Sequence, residues 1–205
     1  MEHHLTYSKS YRYEILTCNG DSKNVLYVLH GYGQLSRFFI RKFSALQERY
    51  TIVAPEGMHR FYLEGSSGRV GASWMTKEDR LTDIDDTMSF LNEVDQVISQ
   101  KLDVDRRVLL GFSQGGAAAA RWDQLGEVNF DELILWACVF PPDLKWEGHV
   151  KESRGNTFVL GSEDPYFRGE KGEEIKNFYR SLGFSVEGFE GGHDIINETL
   201  TSILH

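Results

Sequence analysis

The sequence predicts an α/β fold, a mostly parallel, doubly wound sheet with helices on both faces. First, continuous apolar runs of four to six residues recur along the chain, as is typical of parallel strands that are buried on both faces. Second, stretches with helical spacing of apolar residues lie between these runs, where crossover helices are required. Third, no internal repeat or linker interrupts the 205 residues, so a single domain over residues 1–205 is expected.

The strands follow from these apolar runs. The pattern at 11–17 alternates between apolar and polar residues and predicts an antiparallel edge strand. The strand predicted at 51–54 ends before Pro55, because proline cannot donate to the hydrogen-bond ladder. The remaining predicted strands lie at 25–29, 51–54, 107–112, 133–138, 157–160 and 185–189.

The helices follow from apolar spacings of three and four. Phe39, Phe43 and Leu46 share one face after the first parallel strand, and a long stripe over 84–102 predicts one extended helix. Thr82, followed by Asp85 three residues later, indicates the start of that helix. Two further helices are predicted from stripes over 175–182, which Gly183 ends, and over 196–204.

The segment at 56–80 fits neither pattern. It holds many Gly and Ser residues with scattered aromatics, among them Tyr62 and Trp74. Long loops in compact domains are usually functional or disordered, so we interpret this segment as a loop that forms a wall of the functional site.

The composition excludes several classes of function. The formal net charge is −9, which argues against nucleic acid as a partner, because phosphate contacts need clustered Lys and Arg. Cys18 and Cys138 have no close cysteine partner and are expected to be reduced thiols, although a disulfide between them stays open. Asp83 and its acidic neighbours fit the first turn of a helix better than a metal site. No phosphate or dinucleotide motif is present, and no cofactor is expected.

The start of the chain lacks the pattern of a signal peptide, and no apolar run is long enough for a membrane span. A cytoplasmic protein without a membrane span is therefore expected. The sequence leaves the oligomeric state open between a monomer and a homodimer.

A nucleophilic serine is predicted at Ser113, within the sequence Gly111-Phe112-Ser113-Gln114-Gly115. A strand pattern leads into this motif and a run of alanines leads out. In a strand–turn–helix of this kind the serine lies at a sharp turn with its hydroxyl exposed above the sheet. Glycines two residues before and after the serine leave room for the turn.

A base and its orienting acid are expected at the ends of later strands, because an open α/β sheet collects functional side chains there. Asp164 lies in the loop after 157–160, and His193 lies in a glycine-rich loop after 185–189. The chain order Ser, Asp, His is that of an α/β-hydrolase triad. Glu163 is the alternative to Asp164.

The sequence Leu29-His30-Gly31-Tyr32-Gly33-Gln34 predicts an oxyanion hole after the first buried strand. Gly31 and Gly33 let the backbone approach the substrate closely. The N–H of Tyr32 or of Gly33 is expected to bind the oxyanion together with the N–H of Gln114. His30 is interpreted as a support of this loop; its use as a second base is the alternative.

Together, these motifs resemble those of the phospholipase/carboxylesterase family of α/β-hydrolases, which includes acyl-protein thioesterases and small carboxylesterases. The sequence from Gly111 to Gly116 is the most specific element, and the similarity runs from about residue 25 to the C-terminus. The resemblance implies a triad of Ser113, Asp164 and His193. It also implies oxyanion donors at Tyr32 and Gln114, and places Trp74 near the acyl site.

The chain departs from the family in its short length and in lacking a recognisable apolar lid. Its aromatic residues Tyr32, Tyr166 and Phe167 are expected near the pocket, together with His30, Gly31, Gly33 and Trp74. We therefore expect a serine hydrolase that cleaves small-molecule esters of short to medium acyl chains through an acyl-enzyme. The alternatives are an acyl-protein thioesterase or lysophospholipase, and a non-catalytic receptor for a small ligand.

Overall fold

The computed structural model describes residues 3–145 and 155–204, and its centre is a seven-stranded sheet. In chain order the sheet strands are β1 (Tyr13–Leu16), β2 (Asn24–Leu29), β3 (Thr51–Pro55), β6 (Arg106–Phe112), β7 (Glu132–Trp136), β8 (Gly155–Gly161) and β9 (Ser185–Phe189). Their spatial order is β1-β3-β2-β6-β7-β8-β9. β1 pairs antiparallel with β3, and every other neighbouring pair is parallel. The predicted fold class and the antiparallel edge strand are confirmed.

Helices cover both faces of this sheet. They are α1 (Ser36–Phe39), which continues into a 3₁₀ helix (Ile40–Leu46), α2 (Arg80–Ser99), α3 (Gln114–Leu125), α4 (Glu170–Ser181) and α5 (Asn197–Ile203). Right-handed crossovers put α2, α3 and α4 on one face, because all three connect strands in the same direction across the sheet. The connection from β2 to β3 runs in the opposite direction, so the 3₁₀ helix lies on the other face, where it contacts α5.

The strands at the centre of the sheet form the core. Every residue of β3 and of β7 is buried, as is β2 beyond its first residue. Aromatic side chains fill the space between β2 and α3: the rings of Tyr27 and Phe130 both pack edge-on against Trp122. The continuous apolar runs of the sequence thus correspond to strands that are covered on both faces.

The structure corrects the sequence analysis at several places, and three of them bear on the site. Residues 56–80 are not one long loop, because they contain a hairpin of β4 (His59–Tyr62) and β5 (Val70–Ser73). The long helix begins at Arg80, two residues before Thr82, after Asp79 in a left-handed conformation with φ 47°. β7 ends at Trp136, two residues earlier than predicted.

Two other expectations can be compared with the structure. Gly183 follows α4 with φ +85°, which is the conformation expected of a glycine that ends a helix. Among residues 3–145 and 155–204, no helix is both long and apolar enough to cross a membrane.

The carboxyl ends of β2, β6, β8 and β9 lie at one edge of the sheet, since these strands are parallel. Side chains that follow these four strands are therefore brought together from distant parts of the sequence.

Candidate active site

Ser113 lies at the sharp turn between β6 and α3. Its backbone has φ 54° and ψ −120°, a region that is unfavourable for a residue with a side chain. The turn is held by the Ser113 N–H, which donates to the carbonyl oxygen of Trp136 at 2.9 Å. Such strain persists only where the surrounding structure enforces it, and it is typical of functional positions.

Two glycines make this turn sterically feasible. A Cβ at Gly111 would lie 2.4 Å from the carbonyl oxygen of Gly115, and a Cβ at Gly115 would lie 2.2 Å from that of Leu29. Both clashes are with backbone atoms, which cannot rotate away. Glycine is therefore required on each side of Ser113, so that α3 can begin directly against β2 and β6.

The structure brings Ser113, Asp164 and His193 into one hydrogen-bonded chain. The Oγ of Ser113 lies 2.9 Å from Nε2 of His193, and Nδ1 of His193 lies 2.6 Å from Oδ2 of Asp164. These three residues follow β6, β8 and β9. In this arrangement, Ser113 donates to the imidazole and the imidazole donates to the carboxylate, as nucleophile, base and orienting acid require.

The acid in this chain is Asp164 and not Glu163. Asp164 is fully buried, whereas Glu163 is exposed on the same loop. The second carboxylate oxygen of Asp164 accepts the N–H of Tyr166 at 2.9 Å, which fixes the direction in which the carboxylate points. This bond leaves Oδ2 free for His193.

The imidazole of His193 is held between two aromatic rings. The ring centroid of Phe112 lies 4.8 Å from that of His193, and the centroid of Tyr166 lies 4.7 Å away on an edge-to-face approach. Together with the bond to Asp164, these contacts limit rotation of the imidazole, so that Nε2 stays directed at Ser113.

Two backbone N–H groups near Ser113 are available to bind an anion. Among the described residues, no acceptor is bonded to the N–H of Tyr32. The N–H of Gln114 belongs to the first residue of α3, where a helix offers no internal acceptor. The N–H of Gly33 differs, because it donates to the carbonyl oxygen of Ala72 at 2.9 Å. Of the two donors expected in this loop, the hydrogen bonding favours Tyr32.

The N–H of Gly31 is also engaged, since it donates to Oε1 of Gln34 at 2.9 Å. Gly31 lies against Phe112, where an added Cβ would be 3.1 Å from the ring. Gly31 and Gly33 therefore shape the turn beside Tyr32, and their N–H groups hold its conformation.

His30 stabilises this turn through hydrogen bonds to the backbone. It is fully buried; its Nδ1 donates to the carbonyl oxygen of Gly31 at 2.8 Å, and its Nε2 accepts the N–H of Gly57 at 2.9 Å. Burial lowers the pKa of His30 to about 4, so the ring is neutral. Because both ring nitrogens are bonded to backbone, His30 contributes to the loop and not to the surface of a substrate pocket.

Trp74 is buried beside His30. Its Nε1 donates to the carbonyl oxygen of His30 at 2.7 Å, and its backbone N–H donates to Oε1 of Gln114 at 3.1 Å. The Gln114 amide also donates to the carbonyl oxygen of Met75 at 3.1 Å. The end of β5 is thereby fixed to the start of α3, whereas no residue of segment 56–80 lines the pocket over Ser113.

A pocket of about 290 Å³ opens over Ser113 and His193. Tyr166 and Phe167 line it, and Tyr166 is 66% exposed. Tyr32 is 63% exposed and packs at a tilt against the ring of Phe61, outside this pocket. Four lining residues were missed by the sequence analysis: Ala117, Ala137, Cys138 and Val139.

Ala117 lies on the first turn of α3, which was interpreted only as a helix. Residues 137–139 were missed because the strand at 133–138 was predicted to run two residues too far. Ala137 has φ 51°, and this turn places Cys138 and Val139 at the carboxyl end of β7. The rule that functional side chains follow strand ends would have indicated them. Cys18 and Cys138 are both free thiols.

Comparison with protein families identifies one match. The family described as Phospholipase/Carboxylesterase matches residues 12–205, which include Ser113, Asp164 and His193. Among curated proteins, no sequence matches the chain significantly.

Solved structures share the fold. A carboxylesterase from Mesorhizobium loti is similar with a TM-score of 0.73 and 18% identity, over 95% of this chain and 94% of that one. The acyl-protein thioesterase 2 of Zea mays is similar with a TM-score of 0.68 and 16% identity, over 95% of this chain and 96% of that one. The Bacillus cereus carboxylesterase is similar with a TM-score of 0.65 and 18% identity, over 94% of this chain and 91% of that one.

Proposed function

The chain belongs to the phospholipase/carboxylesterase family of α/β-hydrolases, and from this premise we propose that it is a serine hydrolase of carboxylic esters with short to medium acyl chains. One observation carries the proposal: Ser113, His193 and Asp164 form a continuous hydrogen-bonded chain at the mouth of an apolar pocket. A serine hydroxyl is a weak nucleophile, and such a chain supplies the base that activates it.

In the acylation step, Nε2 of His193 removes the proton from Ser113 as Oγ attacks the ester carbonyl carbon. The C–O double bond opens to an oxyanion. The tetrahedral intermediate then expels the alcohol, which takes the proton from Nε2 of His193. Asp164 stabilises the imidazolium that exists between these two proton transfers.

In the deacylation step, His193 removes a proton from water, and the hydroxide attacks the acyl carbon on Ser113. The second tetrahedral intermediate releases the carboxylic acid. Oγ of Ser113 regains its proton from His193. No metal or cofactor enters either step of this proposal.

The oxyanion is bound by the N–H groups of Tyr32 and Gln114. Each donor is fixed by the backbone and requires no rearrangement as charge develops. Loss of one such donor costs on the order of 3 kcal/mol of barrier. The Gly33 N–H makes no contribution, because Ala72 already accepts it.

The size of the pocket supports a short or medium acyl group. A pocket of about 290 Å³ lies at the lower end of the range for small-molecule sites. Phe167 and the exposed ring of Tyr166 line this pocket. The residues around Ser113 are mostly apolar, which suits an alkyl chain.

The proposal is tested by hydrolysis of p-nitrophenyl acetate, butyrate and longer homologues. We expect turnover that is highest for the short and medium esters and is lost by at least about 10⁴-fold in Ser113→Ala. Ser89→Ala is the matched control, since Ser89 is an exposed serine of α2. Wild-type rates in Ser113→Ala would refute the mechanism. Tight ligand binding without turnover would indicate a receptor, and faster cleavage of thioesters would indicate a thioesterase.

A further inference from the structure

A second concavity, of about 450 Å³, lies on the other side of the Tyr32 turn. Its charged lining residues are all basic: Arg37, Lys42 and Arg69. Phe38, Leu63 and Val70 supply apolar surface beside them. We call this concavity the basic pocket. The whole chain carries a net charge of −9, so a cavity whose charged lining residues are all cations is a local reversal of charge.

Two of the three cations have no carboxylate partner within the described part of the chain. Lys42 binds Oδ1 of Asp194 at 2.7 Å, but neither Arg37 nor Arg69 forms an ion pair there. The guanidinium carbon of Arg37 lies 4.6 Å from the ring centroid of Phe38, which holds that side chain at the pocket. An unpaired arginine in a cavity offers a planar fork of donors that fits a carboxylate or phosphate.

The basic pocket adjoins the catalytic residues on the imidazole side. Gly33 and Gln34, which line it, directly follow Tyr32. Asp194, the partner of Lys42, directly follows His193. The floor residue Phe39 stacks on Phe112 at 6.1 Å, and Phe112 in turn contacts His193.

We propose that the basic pocket binds an anionic group, a carboxylate or a phosphate, on the alcohol portion of the ester substrate. This inference rests on the proposed function. The apolar pocket beside Ser113 takes the acyl chain, so the alcohol must leave in another direction. Because His193 gives its proton to the departing alcohol, that group lies on the imidazole side, which is the side of Lys42 and the basic pocket.

The proposal explains why a strongly acidic protein would keep three cations at one cavity. A substrate with a negative alcohol portion would be repelled by most of the surface and attracted here, which is electrostatic focusing of the ligand. Arg37 and Arg69 are exposed at the rim, so the attraction is weakened by salt.

The test compares two esters that differ at one position, a carboxylate in 4-carboxyphenyl butanoate and the uncharged amide in 4-carbamoylphenyl butanoate. The ratio of their kcat/KM values is measured for the wild type and for variants, which removes the difference in intrinsic reactivity. We expect the ratio to fall about tenfold in Arg37→Ala/Arg69→Ala, which corresponds to about 1.4 kcal/mol. The double Lys variant should keep most of the ratio, because both charges remain.

Lys101→Ala is the control for loss of one positive charge, since Lys101 lies before β6 at the opposite edge of the sheet. Its ratio should equal that of the wild type. A third ester, 4-(phosphonooxy)phenyl butanoate, distinguishes phosphate from carboxylate as the preferred group. The wild-type ratio should also fall as sodium chloride is raised from about 20 to about 500 mM. This decrease should be about as large as the decrease in Arg37→Ala/Arg69→Ala.

Two outcomes would overturn the inference while leaving the hydrolase intact. One is a ratio that is the same in all variants and salt concentrations. The other is a charge preference that appears only when the carboxylate is moved to the acyl portion, as in mono-p-nitrophenyl glutarate. Absence of turnover for all esters, including the neutral one, would instead refute the proposed function, and the inference with it.

Discussion

Oδ2 of Asp164 lies 2.6 Å from Nδ1 of His193, and the carboxylate is fully buried while the imidazole keeps partial access to solvent. A buried carboxylate needs hydrogen-bond partners, and Asp164 has them in His193 and the N–H of Tyr166. The geometry therefore fixes both the orientation and the tautomer of the imidazole, with the proton on Nδ1 and the lone pair on Nε2 toward Ser113.

Replacing Asp164 by Asn tests this relationship. The amide of the substituted side chain would favour the opposite tautomer, so that Nε2 carries the proton and cannot accept from Ser113. We expect kcat for p-nitrophenyl butyrate to fall on the order of 10⁴-fold, with little change in the overall structure. Glu163→Gln is the matched control and should keep activity within about twofold. A loss of less than about tenfold in Asp164→Asn would contradict the assigned role.

Because His30 is buried and neutral, we expect the free energy of unfolding to depend on pH. Its pKa is lowered to about 4 by burial, whereas a histidine in the unfolded chain has a pKa near 6.5. Between these values the unfolded state binds more protons. The free energy of unfolding should therefore fall as the pH drops from about 6.5 to about 4, by up to about 3 kcal/mol from this residue.

Urea unfolding at several pH values between about 4.5 and about 7.5 measures this effect. The wild type should lose stability on acidification more steeply than His30→Asn, which lacks the titrating ring. His3→Asn is the control, since His3 is exposed near the N-terminus, and its profile should follow that of the wild type. Parallel profiles for the wild type and His30→Asn would show that His30 is not held neutral by the fold.

Replacing Gly115 by Ala tests the steric requirement of the turn at Ser113. In Gly115→Ala the added methyl group would lie 2.2 Å from the Leu29 carbonyl oxygen and 2.4 Å from that of His30. Overpacking against backbone costs about 1–3 kcal/mol or more. We expect a loss of stability of at least this size by urea unfolding, together with loss of esterase activity.

Gly188→Ala is the comparison for this change. A Cβ at Gly188, in β9, would meet only the Leu160 carbonyl oxygen, at an ordinary 3.8 Å. This variant should retain activity and change the free energy of unfolding by less than about 1 kcal/mol. Equal behaviour of the two variants would mean that the turn tolerates a side chain at residue 115.

The side chain of Gln114 has a structural role that is separate from the role of its backbone N–H. In Gln114→Ala the Trp74 N–H loses its acceptor and the Met75 carbonyl loses a donor. A buried group left without a partner costs about 1–3 kcal/mol, and we expect a decrease of that size in the free energy of unfolding. The start of α3, which carries the Gln114 N–H, would also shift, so kcat/KM should fall.

Gln124→Ala is the control on the same helix, because Gln124 bonds only to its neighbour Asp123 among the hydrogen bonds of the described side chains. It should change stability by less than about 0.5 kcal/mol. A Gln114→Ala variant as stable and as active as this control would show that the connection between α3 and β5 is dispensable.

The fold could be predicted from sequence because its strands are buried on both faces. Runs such as Val25 to Leu29 have no polar face, so they are recognisable without knowledge of their neighbours. The hairpin of β4 and β5 was missed because its strands are four residues long, partly exposed, and include Gly71. Gly71 is needed because a Cβ there would lie 2.5 Å from the Gly33 carbonyl oxygen, a contact with a distant segment.

The candidate catalytic residues could be predicted because each follows a strand, and strand ends converge. The choice between Tyr32 and Gly33 could not be made from sequence, because it depends on Ala72, a residue of β5 whose carbonyl oxygen accepts the Gly33 N–H. The basic pocket was equally hidden, since Arg37 and Arg69 are separated in sequence and meet only when β5 pairs with the turn that follows β2.

The central claim is that Ser113 is an activated nucleophile, and labelling with a fluorophosphonate tests it most directly. We expect one phosphonyl group per chain, located on the peptide that contains Ser113 by mass spectrometry. No label should appear in Ser113→Ala, and labelling should be strongly slowed in His193→Ala. A folded wild-type protein that takes up no label, or takes it up at another residue, would contradict the claim.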